Sequence, residues 1–230
     1  MDLSTFEDKI GVKFNDKDLL KQAFLHRSYL NEHREVEMDH NERLEFLGDA
    51  VVEIVVTDFL FHKYPKTPEG ELTSFRAALV NANTMAEVAA GLGLNDHLLL
   101  SKGESKDTGR ARQIILANAF EALVGAIYLD QGYEAAKDFI ARNLFSMTEK
   151  IVEEKLWLDA KSFFQEKAQE IAGVTPNYKI LSEAGPDHNK KFTVGLFLGE
   201  EEISQGAGHS KQEAEQEAAR KGLETKRWNV

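Results

Sequence analysis

The sequence predicts an all-α domain followed by a small α+β domain of order α-β-β-β-α. Three observations carry that reading. Apolar residues recur at the 3.6-residue helical period through most of the first 150 positions. Farther on, Phe192, Val194, Leu196 and Leu198 alternate with period two, the mark of a strand with one buried face. Ser210-Lys211-Gln212-Glu213 is a capping-box pattern that opens an alanine-rich final helix.

Taken in order, Lys17 to Leu30 reads as one amphipathic helix with Leu20 and Phe24, joined by Leu19, on its apolar side. Asn41 to Phe61 is a long helix with Leu44, Leu47, Val51, Ile54 and Val55 spaced to face a core. Tyr64-Pro65-Lys66-Thr67-Pro68 breaks it, and Thr67 as N-cap with Pro68 at the first helical position starts the next helix, through Leu79. Asn83 to Ala90 is helical and is closed by Gly91 and Gly93. Ser101 to Gly109 is a polar, glycine-punctuated loop. Ala111 to Leu129 and Glu134 to Lys150 complete the helical domain. Beyond it, Asp159 to Ile171 is a helix with Phe164, Ala168 and Ile171 inward. Tyr178 and Ile180 belong to a first strand, Gly185-Pro186-Asp187 to a turn, and Ile203 and Gln205 to a third strand. The boundary falls near Ile151 to Leu158.

No run of eighteen apolar residues is present, so no segment is expected to span a membrane. The acidic first eight residues lack the apolar stretch of a signal peptide. The absence of cysteine excludes disulfides, zinc–thiolate sites and cysteine catalysis, and suits a reducing cytoplasm. A net charge of −11 argues against a generic nucleic-acid binder. The acid is unevenly spread, with 18 basic against 27 acidic residues over 1–155 and 10 against 12 over 156–230. A polyanion would be bound through local basic patches, or through cations that reverse the sign of an acidic site.

One segment carries most of the chemistry. Between positions 42 and 53, Glu42, Glu45, Asp49 and Glu53 fall within roughly 80° of one another on a helical wheel. Arg43 points elsewhere. A solvated acidic face is one reading, although like charges at i,i+4 repel by about 0.2–0.5 kcal/mol per pair. Gly48 favours another. A mid-helix glycine costs about 1 kcal/mol against alanine, which suggests that a backbone or a ligand comes close there. Clustered carboxylates with neither His nor Cys suit a hard cation such as Mg²⁺. Asn118 and Glu121, one turn apart, are polar exceptions on a helix otherwise fit for burial. They are either a surface pair or the second half of such a site, where a shared cation would relieve a buried acid.

The run Glu42-Arg43-Leu44-Glu45-Phe46-Leu47-Gly48-Asp49-Ala50 resembles the signature of the ribonuclease III family. The likeness extends to Gln22-Ala23-Phe24-Leu25-His26-Arg27-Ser28-Tyr29, to Glu69-Gly70 with Arg76-Ala77, and to Phe120-Glu121-Ala122-Leu123-Val124-Gly125-Ala126. Residues from Asp159-Ala160-Lys161 through Gly206-Ala207-Gly208-His209-Ser210-Lys211 and Ala214-Glu215-Gln216 resemble the family's double-stranded-RNA-binding domain. The resemblance implies the ribonuclease III endonuclease fold for the catalytic and dimerisation domain at 1–150, a linker at 151–158, and an RNA-binding domain at 159–228. It further implies Mg²⁺-dependent hydrolysis of double-stranded RNA to 5′-phosphate and 3′-hydroxyl ends by a cytoplasmic homodimer, with Mn²⁺ as a substitute metal and precursor rRNA and other structured RNAs as substrates. Asp49 and Glu121 would be catalytic, Glu45, Asn118, Glu121 and Asp49 would hold the metal, and Glu42 and Glu69 would support. Glu69 also suits a helix's first turn on its own account.

For RNA, the resemblance implies Gln165 and Glu166 at the minor groove, His188 in the loop after the first strand, and Ser210 and Lys211 at phosphates. A helix N-terminus favours anions in any case, and duplex RNA is read by shape. Ser210 also reads as a simple N-cap and His188 as an ordinary loop residue. Three positions depart from the family. Asn118 stands where Asp is usual, which removes a charge but keeps a carbonyl oxygen. Gln212 and Gln216 occupy positions often basic, which implies weaker, more salt-limited RNA binding. A duplex-RNA binder, or a ribosome-associated protein, that keeps the fold without cutting is the alternative that Asn118 motivates.

Overall fold

The structure is a computed structural model and describes residues 3–186 and 190–228. It forms two compact units, Met1–Trp157 and Leu158–Val230.

Two 22-residue helices organise the first unit, α4 (Glu42–Lys63) and α7 (Arg110–Gln131). Around them stand α1 (Ser4–Ile10), α2 (Lys17–Ala23), α3 (Arg27–Glu32), α5 (Glu69–Leu79), α6 (Ala82–Leu92), α8 (Tyr133–Leu144) and α9 (Met147–Glu153). By length and composition α7 could cross a membrane. In this fold it is the central core helix, with Leu116, Ala119, Phe120, Leu123 and Ile127 buried. Both α4 and α7 carry a glycine at their contact. A Cβ on Gly48 would lie 1.8 Å from the backbone oxygen of Glu121, and one on Gly125 would lie 2.2 Å from that of Leu44. The close approach inferred from Gly48 is therefore the backbone of α7.

Several helix boundaries differ from the sequence expectation. Lys17–Leu30 is two helices, because His26 adopts an extended conformation and caps α3 by accepting from the Ser28 N–H, while Leu25 bridges Leu99. Thr67 does not cap α5. Pro68, extended at ψ 152°, is itself the residue before the helix, and Glu69 opens it. The 134–150 stretch breaks at Phe145, whose ring stacks on Phe59 at 3.6 Å, and α9 starts again at Met147. On α4 the buried residues are Leu44, Gly48, Val51, Val52, Val55, Val56 and Leu60. Ile54 is 54% exposed instead of facing the core. The 101–109 loop holds one 3₁₀ turn, Glu104–Lys106, whose carbonyls accept from the Arg112 guanidinium. Ile151 is buried in the first unit's core and Trp157 packs edge-on against Phe75, so much of 151–158 is part of that unit.

In the second unit, α10 (Ala160–Ala172) and α11 (Lys211–Lys226) pack together over an antiparallel sheet, β1 (Asn177–Ala184), β2 (Lys191–Leu198) and β3 (Glu201–Gly208), in the order β1-β2-β3. The predicted α-β-β-β-α order holds. Phe164, Ala168, Leu196, Ala218 and Ala219 form its core. Ile171, expected inward, is 58% exposed. Ile180 is also exposed, on an edge strand bulged between Ile180 and Ser182. At Gly206 an added Cβ would lie 2.2 Å from the Ala214 oxygen, so β3 lies directly on α11.

These contacts separate glycines that packing requires from those it does not. Gly48→Ala should destabilise the protein by on the order of 3 kcal/mol, since the clash is with backbone on both sides. Gly91→Ala, whose Cβ would meet nothing within 4 Å inside α6, should instead gain up to about 1 kcal/mol. Thermal unfolding of the two variants checks both signs.

Candidate functional site

Helix α4 buries Leu44, Gly48 and Val51 and turns Glu42, Glu45, Asp49 and Glu53 to a different side. The glycine contact brings α7 close enough for Asn118 and Glu121 to meet that stripe. The Asn118 side-chain amide is near enough to the Glu45 carboxylate to favour its charged form. Asp49 is exposed, and Glu45, Asn118 and Glu121 are half-buried. The structure thus brings Glu45, Asp49, Asn118 and Glu121 into one cluster.

The electrostatics follow from the packing. Burial pushes the Glu121 carboxyl up to about 8, with the like charges of Asp49, Glu45 and Glu53 adding to it. Burial likewise raises Glu45, helped by Glu42 and Asp49 and opposed by the Asn118 amide. No cation of the protein reaches Glu121 in the way that Arg76 reaches Glu53, with Nε 2.9 Å from the carboxylate among the described ion pairs. That pair was missed in the sequence. Arg76 stands in a different helix, and nothing in linear spacing ties it to position 53.

Among the described residues no group of three or more carboxylate, imidazole or thiol side chains is gathered tightly enough to hold a metal ion. The donor chemistry still fits a hard divalent cation. Every donor is an oxygen, Mg²⁺ needs only a few protein ligands because it keeps its waters, and a carboxyl raised by unrelieved negative neighbours is one that a cation would relieve. Glu42 lies at the rim of the cluster, 3.3 Å from Arg27 and 3.7 Å from His40. Glu69 lies elsewhere, lining a separate pocket with Thr57, Phe61, Leu72 and Arg76 and accepting from the Thr73 hydroxyl at 3.1 Å.

In the second unit Gln165 and Glu166 are exposed on α10. Ser210 caps α11, accepting from the Glu213 N–H at 3.1 Å, while the Glu213 carboxylate accepts from the His209 N–H at 2.8 Å. Lys211 is exposed, its Nζ 5.7 Å from the centre of the Phe192 ring, and Lys190 lies 6.0 Å from the same ring. The sequence reading passed over Lys190 and took Phe192 only as a core-facing strand residue. His188 lies outside the described residues. Gln216 is committed to structure: its amide donates to Asp159 at 2.9 Å and its oxygen accepts from the Lys161 N–H at 3.3 Å, tying α11 to the start of α10.

Comparison with known proteins agrees with this arrangement. Residues 16–148 match the family described as Ribonuclease-III-like, and residues 160–226 match the double-stranded RNA binding motif. Ribonuclease 3 of Protochlamydia amoebophila is 46% identical over 219 residues, covering 94% of this chain and 89% of that protein. Ribonuclease 3 of Nitratiruptor sp. is 44% identical over 221 residues, covering 96% and 95%. The crystal structure of the ribonuclease III nuclease domain from Campylobacter jejuni has a TM-score of 0.56 and 41% identity, covering 65% of this chain and 95% of its own.

Two predictions follow the geometry. A carboxyl whose pKa is higher in the folded than in the unfolded chain binds its proton more tightly when folded. Its stabilising contribution is full below the ordinary value of 4.5 and is lost as pH rises through about 8. In EDTA, Glu121→Gln should therefore match the parent near pH 4.5 and melt at a progressively higher temperature than it by pH 8. Mg²⁺ should narrow that gap at pH 8 by stabilising the parent alone. Separately, Lys211→Ala should weaken duplex-RNA binding in EDTA across sequences and reduce the log–log salt slope by about 1, read by fluorescence anisotropy over a salt series.

Proposed function

The chain belongs to the ribonuclease III family, and from that membership we propose that it is a Mg²⁺-dependent endoribonuclease acting on double-stranded RNA. The observation that carries the reading is the meeting of Glu45, Asp49, Asn118 and Glu121 across the Gly48–Gly125 contact. A bound Mg²⁺ supplies Lewis-acid polarisation of a phosphodiester and a water made acidic enough to attack it. Glu45, Asp49 and Glu121 offer carboxylate oxygens to that ion. Asn118 has a side-chain carbonyl oxygen of the kind that ligates hard cations. Asp49 and Glu121 are the acids assigned to catalysis, and products with 5′-phosphate and 3′-hydroxyl ends follow from the family. Glu42, at the rim, and Glu69, in its separate pocket, are assigned supporting roles toward RNA or a second subunit. Mn²⁺ is a substitute metal of the same oxygen preference.

RNA recognition is assigned to the second unit, through Gln165, Glu166, Ser210 and Lys211, with His188 included on the resemblance alone. A homodimer is supported by the face that α4 turns away from its core. Phe46 is 81% exposed and Leu129 of α7 54%, and with Leu19 and Leu47 they line one groove rimmed by Asp39 and Arg43. Apolar surface concentrated in this way marks an interface, and a second copy would supply the same groove and the same Phe46. A structure of the Campylobacter jejuni nuclease domain is described in terms of a region involved in dimer formation. We place the protein in the cytoplasm and assign it to the maturation of precursor ribosomal RNA and other structured RNAs.

One observation favours a second reading, a duplex binder that does not cut: Asn118 removes a carboxylate from the cluster. Incubating a long RNA duplex with and without Mg²⁺ separates the two. Cutting only with Mg²⁺ is the expected outcome, with Asn118→Asp lowering the Mg²⁺ concentration that half-saturates it. Tight binding with no cutting in Mg²⁺ or Mn²⁺ would establish the second reading.

A further inference from the structure

Glu53 is one helical turn beyond Asp49 on the acidic face of α4, and its charge is felt at Glu121. It is nevertheless tied down differently from the other acids. Arg76 of α5 places Nε 2.9 Å from its carboxylate. A terminal guanidinium nitrogen of Arg76 donates to the Thr57 hydroxyl at 3.0 Å, and that hydroxyl donates to the Glu53 backbone oxygen at 2.6 Å. The fork is planar and its two donors reach successive turns of α4, which fixes the guanidinium more tightly than one ion pair could. Arg76 also lines the pocket formed with Thr57, Leu60 and Leu72.

We propose that Arg76 is a positioning residue that holds Glu53 out of the metal site, so that the cation is shared by Glu45, Asp49, Asn118 and Glu121 alone. This rests on the reading of that cluster as a Mg²⁺ site. With the guanidinium removed, Glu53 becomes a further unpaired carboxylate on the same face, within electrostatic reach of Glu121. A divalent cation then meets one more negative charge and one more oxygen ligand. Binding tightens while the geometry set by the four intended groups is spoiled, which separates affinity from turnover.

The test is isothermal titration of the RNA-free full-length chain with MgCl₂, alongside duplex cleavage at saturating Mg²⁺. Arg76→Ala should bind Mg²⁺ about fivefold more tightly, the size of a single charge acting through partly exposed surface, and should cut more slowly. Arg76→Lys, which keeps the charge but not the fork, should fall between. In the Glu53→Gln background, Arg76→Ala should leave affinity within about twofold of the parent. Glu121→Gln, titrated in parallel, must abolish the binding seen in the parent; if it does not, the metal-site reading fails. If it does, yet Arg76→Ala leaves affinity unchanged, or its effect persists without Glu53, then Arg76 only braces α5 against α4 and the inference is overturned.

Discussion

The contact between the backbones of α4 and α7 at Gly48 and Gly125 is the constraint on which the first unit depends. Each glycine faces a carbonyl of the opposite helix at a distance no Cβ tolerates. Removing two side chains lets two 22-residue helices approach until Glu45 and Asp49 on one are neighbours of Asn118 and Glu121 on the other. Two glycines inside helices carry an intrinsic penalty of about 1 kcal/mol each. The burial of Phe120, Leu123, Val52 and Val55 around the contact is large enough to offset it, at about 1.5–3 kcal/mol for each large apolar side chain.

The same contact creates an electrostatic problem. Carboxylates from two helices are forced together with partial loss of water, and the result is a Glu121 carboxyl pushed up to about 8. Folding energy and function therefore oppose each other in the metal-free chain: the packing that stabilises the core destabilises the charges at its edge. Asn118 softens the conflict by contributing a donor where an acid would add a further charge, and Arg76 softens it at Glu53. A cation held there, as the proposed function requires, would offset with its own charge part of what burial costs these carboxylates.

Much of this was legible in the sequence, and the limits have physical causes. The 3.6-residue period located α4 and α7, and the misfit of glycine within a helix pointed to a close approach at position 48. The acids on one face were read from the wheel. What failed was tertiary in origin. Lys17–Leu30 has an unbroken apolar period, yet a bridge between Leu25 and Leu99 divides it. Ile54 fits a core stripe by spacing but lies on the exposed side of α4. Glu7 looks like any surface acid, and is 3% exposed because the Phe14 N–H and Lys17 satisfy it. Gln216 seemed a lost basic contact, whereas its amide is spent on Asp159. In each case the deciding partner lies beyond the local periodicity from which a sequence is read.

The charge distribution then gains a meaning that net charge alone hides. A chain of −11 would repel a polyanion if that charge were spread evenly. Here four of the acids, Glu42, Glu45, Asp49 and Glu53, share one face of α4, where bound cations would reverse the sign locally. Lys190 and Lys211 instead share the Phe192 ring in the second unit. An aromatic face orients an ammonium group without cancelling its charge, so Lys211 keeps its charge beside the capped start of α11, whereas Lys190 also pairs with Glu183 at 3.2 Å. Affinity for the RNA backbone and the chemistry performed on it can then rest on opposite electrostatic solutions. On the proposed function, one unit would bind through permanent positive charge and be weakened by salt; the other would rely on a divalent ion to make its negative charge hospitable to phosphate. Under the proposed function, salt would act on binding and Mg²⁺ on cutting.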